Sequence, residues 1–578
     1  MLSTGFPLAM NILKTEANSV KMAPAMESLR DVYAAKALGQ IPRLLGNLDR
    51  NPLSPTYGCF HRDYWLDKTS DFPDAVRQFG VHSLALVYKF DFPGSAYKGK
   101  AKIRDWAIAG MEFWTRIQHP NGSFDEFYPY ERGWAGPTAF TTYVMVDSFQ
   151  LLKDEISLAQ AEKIKQAIRR AAYFISSGEA EEDHLANHHA IACLAVWKAY
   201  RLLKEPGLKT GFEKLWKGFL GYQTSEGWSQ EYDGVDPGYL SATVSFLSKL
   251  YKENPLPEIL QVLKSSIEFC SYFVYPNGFY AGSLGSRNTL HFYPHGFELL
   301  GRDFPLAARV AEEMLISLAK GKLVPPEIIS DRYVFYRVPE FLQAYLDYSP
   351  RPAEMPLLPY EKTPFSKFFA ESKIWIRKTE RIYSIANLAK GGVVKAFNCE
   401  TGELILNDCG ILGRLSGQKV VTSQWIDPGY ESKTTEEGWE VSGSLNVATG
   451  QQLFTPLKGI LFRTLLLLIG WHPSLAHFLK GQIRKRMILG RRPVAATFKR
   501  TFKVEPEALT VTSRVNVNGR IHFEKLSFGD EFSVRYVPQS RYFQQQELEV
   551  QGKLLAPSEL AELHQTGKFT FTSVCKLR

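Results

Sequence analysis

Between residues 75 and 350, short Gly- and Asn-rich loops recur at a nearly regular interval, and this recurrence constrains the fold of the chain more than any other feature. The loops read Asn121-Gly122-Ser123-Phe124, Glu182-Asp183-His184, Glu226-Gly227-Trp228-Ser229, Asn277-Gly278-Phe279-Tyr280 and Asp331-Arg332-Tyr333, with starts 61, 44, 51 and 54 residues apart. Between them, apolar residues fall at helical spacing over 101–116, 159–176, 190–203, 242–251 and 306–319. A helical pair of about fifty residues cannot bury its apolar face alone, so the units must stack into a closed ring or an open solenoid. Apolar helices start directly after several loops, and the loops carry most of the notable polar residues. This predicts an α/α toroid of helical hairpins with one functional mouth, with the open solenoid as the alternative.

The period changes after 349–364, where prolines at 350, 352, 356, 359 and 364 preclude regular structure. Alternating runs at 373–377, 382–386, 392–396, 509–513 and 568–572 suit strands, and their number and turns predict an antiparallel β-sandwich. A chain of 578 residues exceeds one core. The expected division is an N-terminal segment, 1–45, partly disordered; a toroid, 46–348; a Pro-rich linker, 349–364; and a sandwich, 365–578, interrupted by a basic, apolar insertion, 453–494.

The formal charge of +9 raises nucleic acid as a partner, but its distribution argues against it. Residues 441–504 hold eleven Lys and Arg and no Asp or Glu, leaving the rest of the chain slightly acidic. Within that segment the apolar run 459–471 is interrupted by Arg463 and falls short of the roughly 20 residues that span a bilayer. Two readings stay open: a helix lying on an anionic membrane through 457–493, with Trp471 at the interface and Arg484-Lys485-Arg486 and Arg491-Arg492 facing lipid, or a hairpin packed on its own domain. The six cysteines have no zinc-like spacing and read as free thiols. No export signal is evident at the amino terminus, so the expected location is the cytoplasm or the inner face of a membrane. No cofactor is expected.

Candidate chemistry gathers in three places. Asn187-His188-His189 opens an apolar helix, and Tyr239 follows in Asp236-Pro237-Gly238-Tyr239. Arg287, His291 and His295 follow the Asn277 loop. Each has a structural counterpart: Asn187 is a good N-cap for a helix over 190–203, His188 and His189 suit its first turn, and Tyr239 suits a helix interior. His291 and His295 are four apart, but Pro294 breaks a shared helix, so no metal is assigned. Arg287 suits a bidentate grip on a carboxylate. Trp228, Phe124, Tyr128, Trp134 and Tyr280 are candidate sugar-stacking walls, with core packing as the alternative; Glu231 and His189 are further substrate-binding candidates.

A toroid followed by a β-sandwich, with an Asn-His pair at a helix start and a Tyr some fifty residues on, resembles the heparinase II/III-like and alginate-lyase group of polysaccharide lyases. The resemblance implies β-elimination at a uronic acid of an acidic polysaccharide or oligosaccharide. Asn187 would stabilise the charge developing on the carboxylate. His188 would serve as neutraliser or base, Arg287 as carboxylate clamp and His291 as a further catalytic group. Tyr239 would act as base and acid in turn, provided a nearby cation lowers a phenol pKa that starts near 10. The sequence departs from the group in the sandwich, where lyases of this kind usually offer a histidine: 389–398 contains none. Two alternatives therefore stand. One is a glycoside hydrolase using two of Asp125, Glu126, Glu231, Asp233 and Asp236; the other is a non-catalytic, membrane-associated glycan-binding protein. A terpene cyclase does not fit, because Asp233 and Asp236 form no DxDD acid and the second half is β-rich.

Overall fold

A computed structural model describes residues 28–576 apart from 127–134, 178–184, 449–454, 471, 485–489, 506–507, 520 and 531–551. The helical half is a ring of antiparallel pairs. Five of its long helices fall where the periodicity predicts, Ala101–Arg116, Leu158–Ser177, Ala186–Leu203, Pro237–Glu253 and Pro305–Ala319, whereas Ala135–Leu152, Pro206–Leu220 and Pro257–Ser271 lie in stretches where no helix was expected. Four of the ring's helices, Pro206–Leu220, Pro237–Glu253, Pro257–Ser271 and Pro305–Ala319, begin with proline, whose fixed φ suits the first turn and whose missing N–H is no loss there.

The three glycine-bearing loops are tight turns against the next helical unit, whereas Glu182-Asp183-His184 lies outside the described residues. In the first, Gly122 has φ +93° and a Cβ there would sit 2.4 Å from the carbonyl oxygen of Arg170. In the second, Gly227 has φ +96° and stands equally close to the carbonyl oxygen of Ser265. Only glycine combines that conformation with that approach, which is why the loops recur as a sequence signature.

The ring closes through a segment expected to precede it. Helices Asp31–Leu38 and Ile41–Asn47 pack against the last hairpin. There Tyr33 donates to Glu298 at 3.0 Å, Arg30 Nε donates to the Tyr345 carbonyl at 2.8 Å, and Arg43 pairs with Asp331. Residues 1–27 lie outside the described residues. The Pro-rich stretch is irregular but pinned: Arg351 donates to both carboxylate oxygens of Glu298 at 2.8 Å, and Leu358 is buried.

The second half holds two antiparallel sheets. Strands Phe365–Phe369, Ile374–Lys378, Ile382–Asn387, Val393–Asn398 and Leu404–Asp408 form a meander in sequence order. This sheet is covered on both faces: Ile374, Ile376, Tyr383 and Ile385 join the toroid's core, whereas Trp375, Ile382 and Ala386 join the core under the second sheet. Two buried faces at a period of two give a run of uninterrupted apolar residues, as in Ile374-Trp375-Ile376. The second sheet has nine strands among the described residues, including the long pair Gly438–Val447 and Pro493–Val504. Between that pair run two helices, Pro456–Ile469 and Pro473–Arg484, and among the described residues no helix is long and apolar enough to cross a membrane. All six cysteines are free thiols.

The role assigned to the turn glycines makes a comparative prediction. Gly122→Ala and Gly321→Ala both force a side chain into the left-handed region at roughly 1 kcal/mol, but Gly321 (φ +71°) has open space around it. Urea unfolding should therefore find Gly122→Ala destabilised by about 1–3 kcal/mol more than Gly321→Ala; equal losses would refute the packing role.

Candidate active site

The first turn of Pro237–Glu253 is set by Asp236, which caps it by accepting from the Tyr239 N–H at 3.1 Å. The same buried carboxylate accepts from the Arg287 N–H at 2.9 Å through its other oxygen. One side chain thus ties together two candidate residues 48 positions apart in sequence. The Arg287 guanidinium carbon lies 3.7 Å from the centre of the Tyr232 ring and 5.1 Å from that of Tyr239. Tyr293 and Tyr333 complete the electrostatic surroundings of the Tyr239 phenol.

Asn187 stands across the neighbouring loop. The helix there starts at Ala186 and is preceded by Leu185, so Asn187 lies inside the first turn and is not the cap. Its side-chain amide donates to Glu231 at 2.6 Å, and its backbone N–H donates to the same carboxylate oxygen at 2.9 Å. His188, half-buried, meets Phe140 edge-on at 5.3 Å. His188 and Arg287 both act electrostatically on Glu231, and Arg287 on Tyr239, which gathers Asn187, His188, Glu231, Arg287 and Tyr239 into one largely buried cluster.

The charges of this cluster are set by burial. Desolvation pushes the Glu231 carboxyl up to about 7 against the opposing pull of the Asn187 hydrogen bonds. The Tyr239 phenol is held well above its ordinary value by burial, and the Arg287 cation lowers it without overcoming that effect. The expected cation is therefore present, but the resting group is a neutral phenol, prepared to give a proton rather than take one. Two polar atoms of this cluster, Glu231 Oε2 and Arg287 Nε, have no hydrogen-bond partner among the described residues. An anion carrying hydroxyl groups would satisfy both.

Strain concentrates here as well. Of the eight non-glycine residues with positive φ among the described residues, four (Tyr232, Asp233, Ala281 and Asn288) lie in the two loops that carry Glu231 and Arg287. Such conformations cost on the order of 1 kcal/mol or more each and persist where the surroundings over-determine them. Part of that support comes from the sandwich. Lys390, in the histidine-free stretch, is buried and donates to the carbonyls of Ser283 at 2.6 Å and Gly285 at 2.7 Å and to the Asn288 side chain. Asn387 adds a bond to the Leu284 carbonyl at 2.7 Å. The sandwich thus offers a clamp on the Arg287 loop where a histidine was expected.

Other candidates are placed differently. Tyr280 is no sugar-stacking wall: it is fully buried, donates to the Pro237 carbonyl at 2.9 Å and packs on Phe292. Trp228 is also a core residue, with its indole N–H on Glu226 at 2.9 Å, and Phe124 stacks on Trp114 at 4.7 Å. His189 is buried against Tyr222. Tyr128 and Trp134 lie outside the described residues. His291 is buried in the irregular segment before the helix His295–Leu300, and His295 faces Asp347 at 2.8 Å. The two histidines share no helical face, and among the described residues no group of three or more His, Cys, Asp or Glu side chains is placed to hold a metal. Tyr232, Tyr333 and Lys390 escaped the sequence reading. The only local signal for Tyr232 is the turn residue pair Asp233-Gly234 beside it.

The overall arrangement is similar to chondroitin AC lyase of Streptomyces coelicolor A3, solved in complex with chondroitin sulphate: 11% identity over 87% of this chain and 68% of that chain, TM-score 0.50. A mutant of the same enzyme aligns at 10% identity over the same shares with a TM-score of 0.51. The likeness is one of fold, a helical toroid followed by antiparallel sheets, which is the architecture that the resemblance implied. Residues 87–294, which contain Asn187, His188, Glu231, Tyr239, Arg287 and His291, match the family model of the Ulvan lyase N-terminal domain. No curated protein sequence matches.

The raised Glu231 pKa makes a pH prediction. Because its folded value, about 7, exceeds the unfolded value near 4.5, its contribution to stability is fully present below pH ~4.5 and is lost as pH rises through 7. Urea unfolding of wild type minus Glu231→Gln should fall by about 3 kcal/mol across that window. Parallel pH curves would refute the buried, protonated state.

Proposed function

We propose that the protein is a polysaccharide lyase that eliminates across the C4–O4 bond of a uronic acid in an acidic glycan. The observation that carries this reading is the Arg287 guanidinium close to the Tyr232 and Tyr239 rings, on a backbone fixed by Asp236, with the Asn187 amide held nearby by Glu231. In this reading Arg287 and Asn187 take the uronate carboxylate, whose charge grows as the C5 proton leaves. Their preorganisation in a desolvated site strengthens that stabilisation. His188, the most accessible of the group, removes the C5 proton. Tyr239 delivers its phenolic proton to the departing O4, which leaves a double bond between C4 and C5. The division of labour follows from the neutral state of the buried phenol. The Ulvan lyase match over 87–294 and the chondroitin AC lyase shape support the reaction class.

The hydrolase alternative draws less support, because four of its five carboxylates each hold a protein partner through at least one oxygen. Asp236 holds two backbone N–H groups, Glu231 holds Asn187, Glu126 pairs with Arg332 at 2.7 Å, and Asp125 faces His119 at 2.9 Å.

The test is a panel of uronate polymers, including alginate, heparan, hyaluronan and chondroitin, assayed for the ultraviolet absorbance of an unsaturated uronate. Wild type should produce it on at least one. Tyr239→Phe and Arg287→Lys should each lose about 10²-fold or more with unchanged circular dichroism. Reducing ends without that absorbance would select the hydrolase, and binding without turnover the non-catalytic protein.

A further inference from the structure

The helical excursion between the long strand pair leaves its apolar residues uncovered. Leu457, Ile460, Leu461, Leu467 and Leu468 of Pro456–Ile469 are all exposed, Leu468 at 77% and Ile460 at 64%. At about 100° per residue these five project within an arc of roughly 120°. Arg463 and Leu466 lie outside that arc and face the body. Leu466 is buried, and Arg463 pairs with Asp71 at 3.1 Å and lies 5.7 Å from the Phe72 ring. The helix is therefore fastened to the toroid along one side and presents an apolar stripe, crossed only by the exposed Thr464, on the other. Leu475 and Phe478 of the second helix are exposed as well.

Charge identifies the occupant of this face. The segment 441–504 carries eleven basic residues and no acidic one. Four of them use acids from outside it: Arg463 with Asp71, Arg491 with Asp427, Lys499 with Glu440 and Arg500 with Asp408. A second copy seated on this face would bring two acid-free segments of like sign together, which electrostatics opposes. A bilayer with anionic headgroups complements both the stripe and the charge.

We propose that the hairpin 456–484 docks the protein on the surface of an anionic lipid bilayer, lying in the interface without crossing it. The apolar stripe enters the boundary between headgroups and acyl chains, while the surrounding cations attract anionic lipid. The attachment sits beside the candidate site: Asp71 and Phe72 are within three residues of Asp74, whose carboxylate meets Arg332 at 3.3 Å next to Tyr333. Docking and catalysis are separable, since none of the stripe residues belongs to that site.

The test is co-sedimentation of the full chain with phosphatidylcholine vesicles containing phosphatidylglycerol, and with pure phosphatidylcholine vesicles. The comparison protein is the combined Ile460→Ser, Leu461→Ser, Leu467→Ser and Leu468→Ser variant, whose exposed substitutions should leave the melting curve unchanged. Wild type should partition onto the anionic vesicles at least about tenfold better than the variant, and better than onto the neutral ones, with the preference falling as salt rises. Equal binding by the two proteins, or no binding by wild type, would overturn the proposal. So would a wild-type dimer that the variant loses in the absence of vesicle binding, which would assign the face to a second copy.

Discussion

The buried carboxylate of Asp236 is the interaction on which the candidate site depends. Burial alone pushes its pKa up, and the N–H groups of Tyr239 and Arg287 offset that cost by bonding its charged form. A buried acceptor that loses such donors is strongly penalised, so the two loops cannot move independently of one another. Gly285 is part of the same constraint, because a Cβ there would stand 2.6 Å from Asp236 Oδ2. The spacing of Tyr239 and Arg287 is therefore a consequence of one capping residue serving two elements.

A second set of buried anchors extends from the sandwich to the same place. Arg500, fully buried, pairs with Asp408 and donates to the carbonyls of Gly391 at 2.9 Å and Gly392 at 2.8 Å. Those glycines follow Lys390, which holds the 283–288 loop by three oxygens. An isolated buried lysine or arginine is costly, whereas one with every acceptor in place fixes geometry. The doubly covered sheet is thus more than a support for the toroid. Through Lys390 it fixes the strained backbone that presents Arg287, while the Lys390 ammonium itself, saturated by acceptors, is unsuited to proton transfer.

Much of the fold was legible in the sequence because it follows from period and turn chemistry. The helix Ala101–Arg116 and the strands Ile382–Asn387 and Ala508–Val517 fall where apolar spacing places them, and the glycines of the recurring loops mark turns that only glycine can make. The site was partly legible. Asn187, His188, Tyr239 and Arg287 were recognisable by residue type at helix starts and loop ends, and they do meet around Glu231 and Asp236. Aromatic character was a poor guide, since Tyr280 and Trp228 have the residue type of a sugar wall and the burial of a core.

The sequence by itself determined the helical repeat, the change of period after the prolines, the strands and the chemistry-bearing residues, because each is written in spacing of a few residues. Only the tertiary structure decided that residues 31–47 close the ring, that Asn187 serves Glu231 rather than its own helix end, and that Lys390 occupies the place expected for a histidine. It also decided that the buried Tyr239 rests as a neutral phenol. These outcomes depend on partners more than forty residues away and on the exclusion of water, and neither leaves a local trace in the chain.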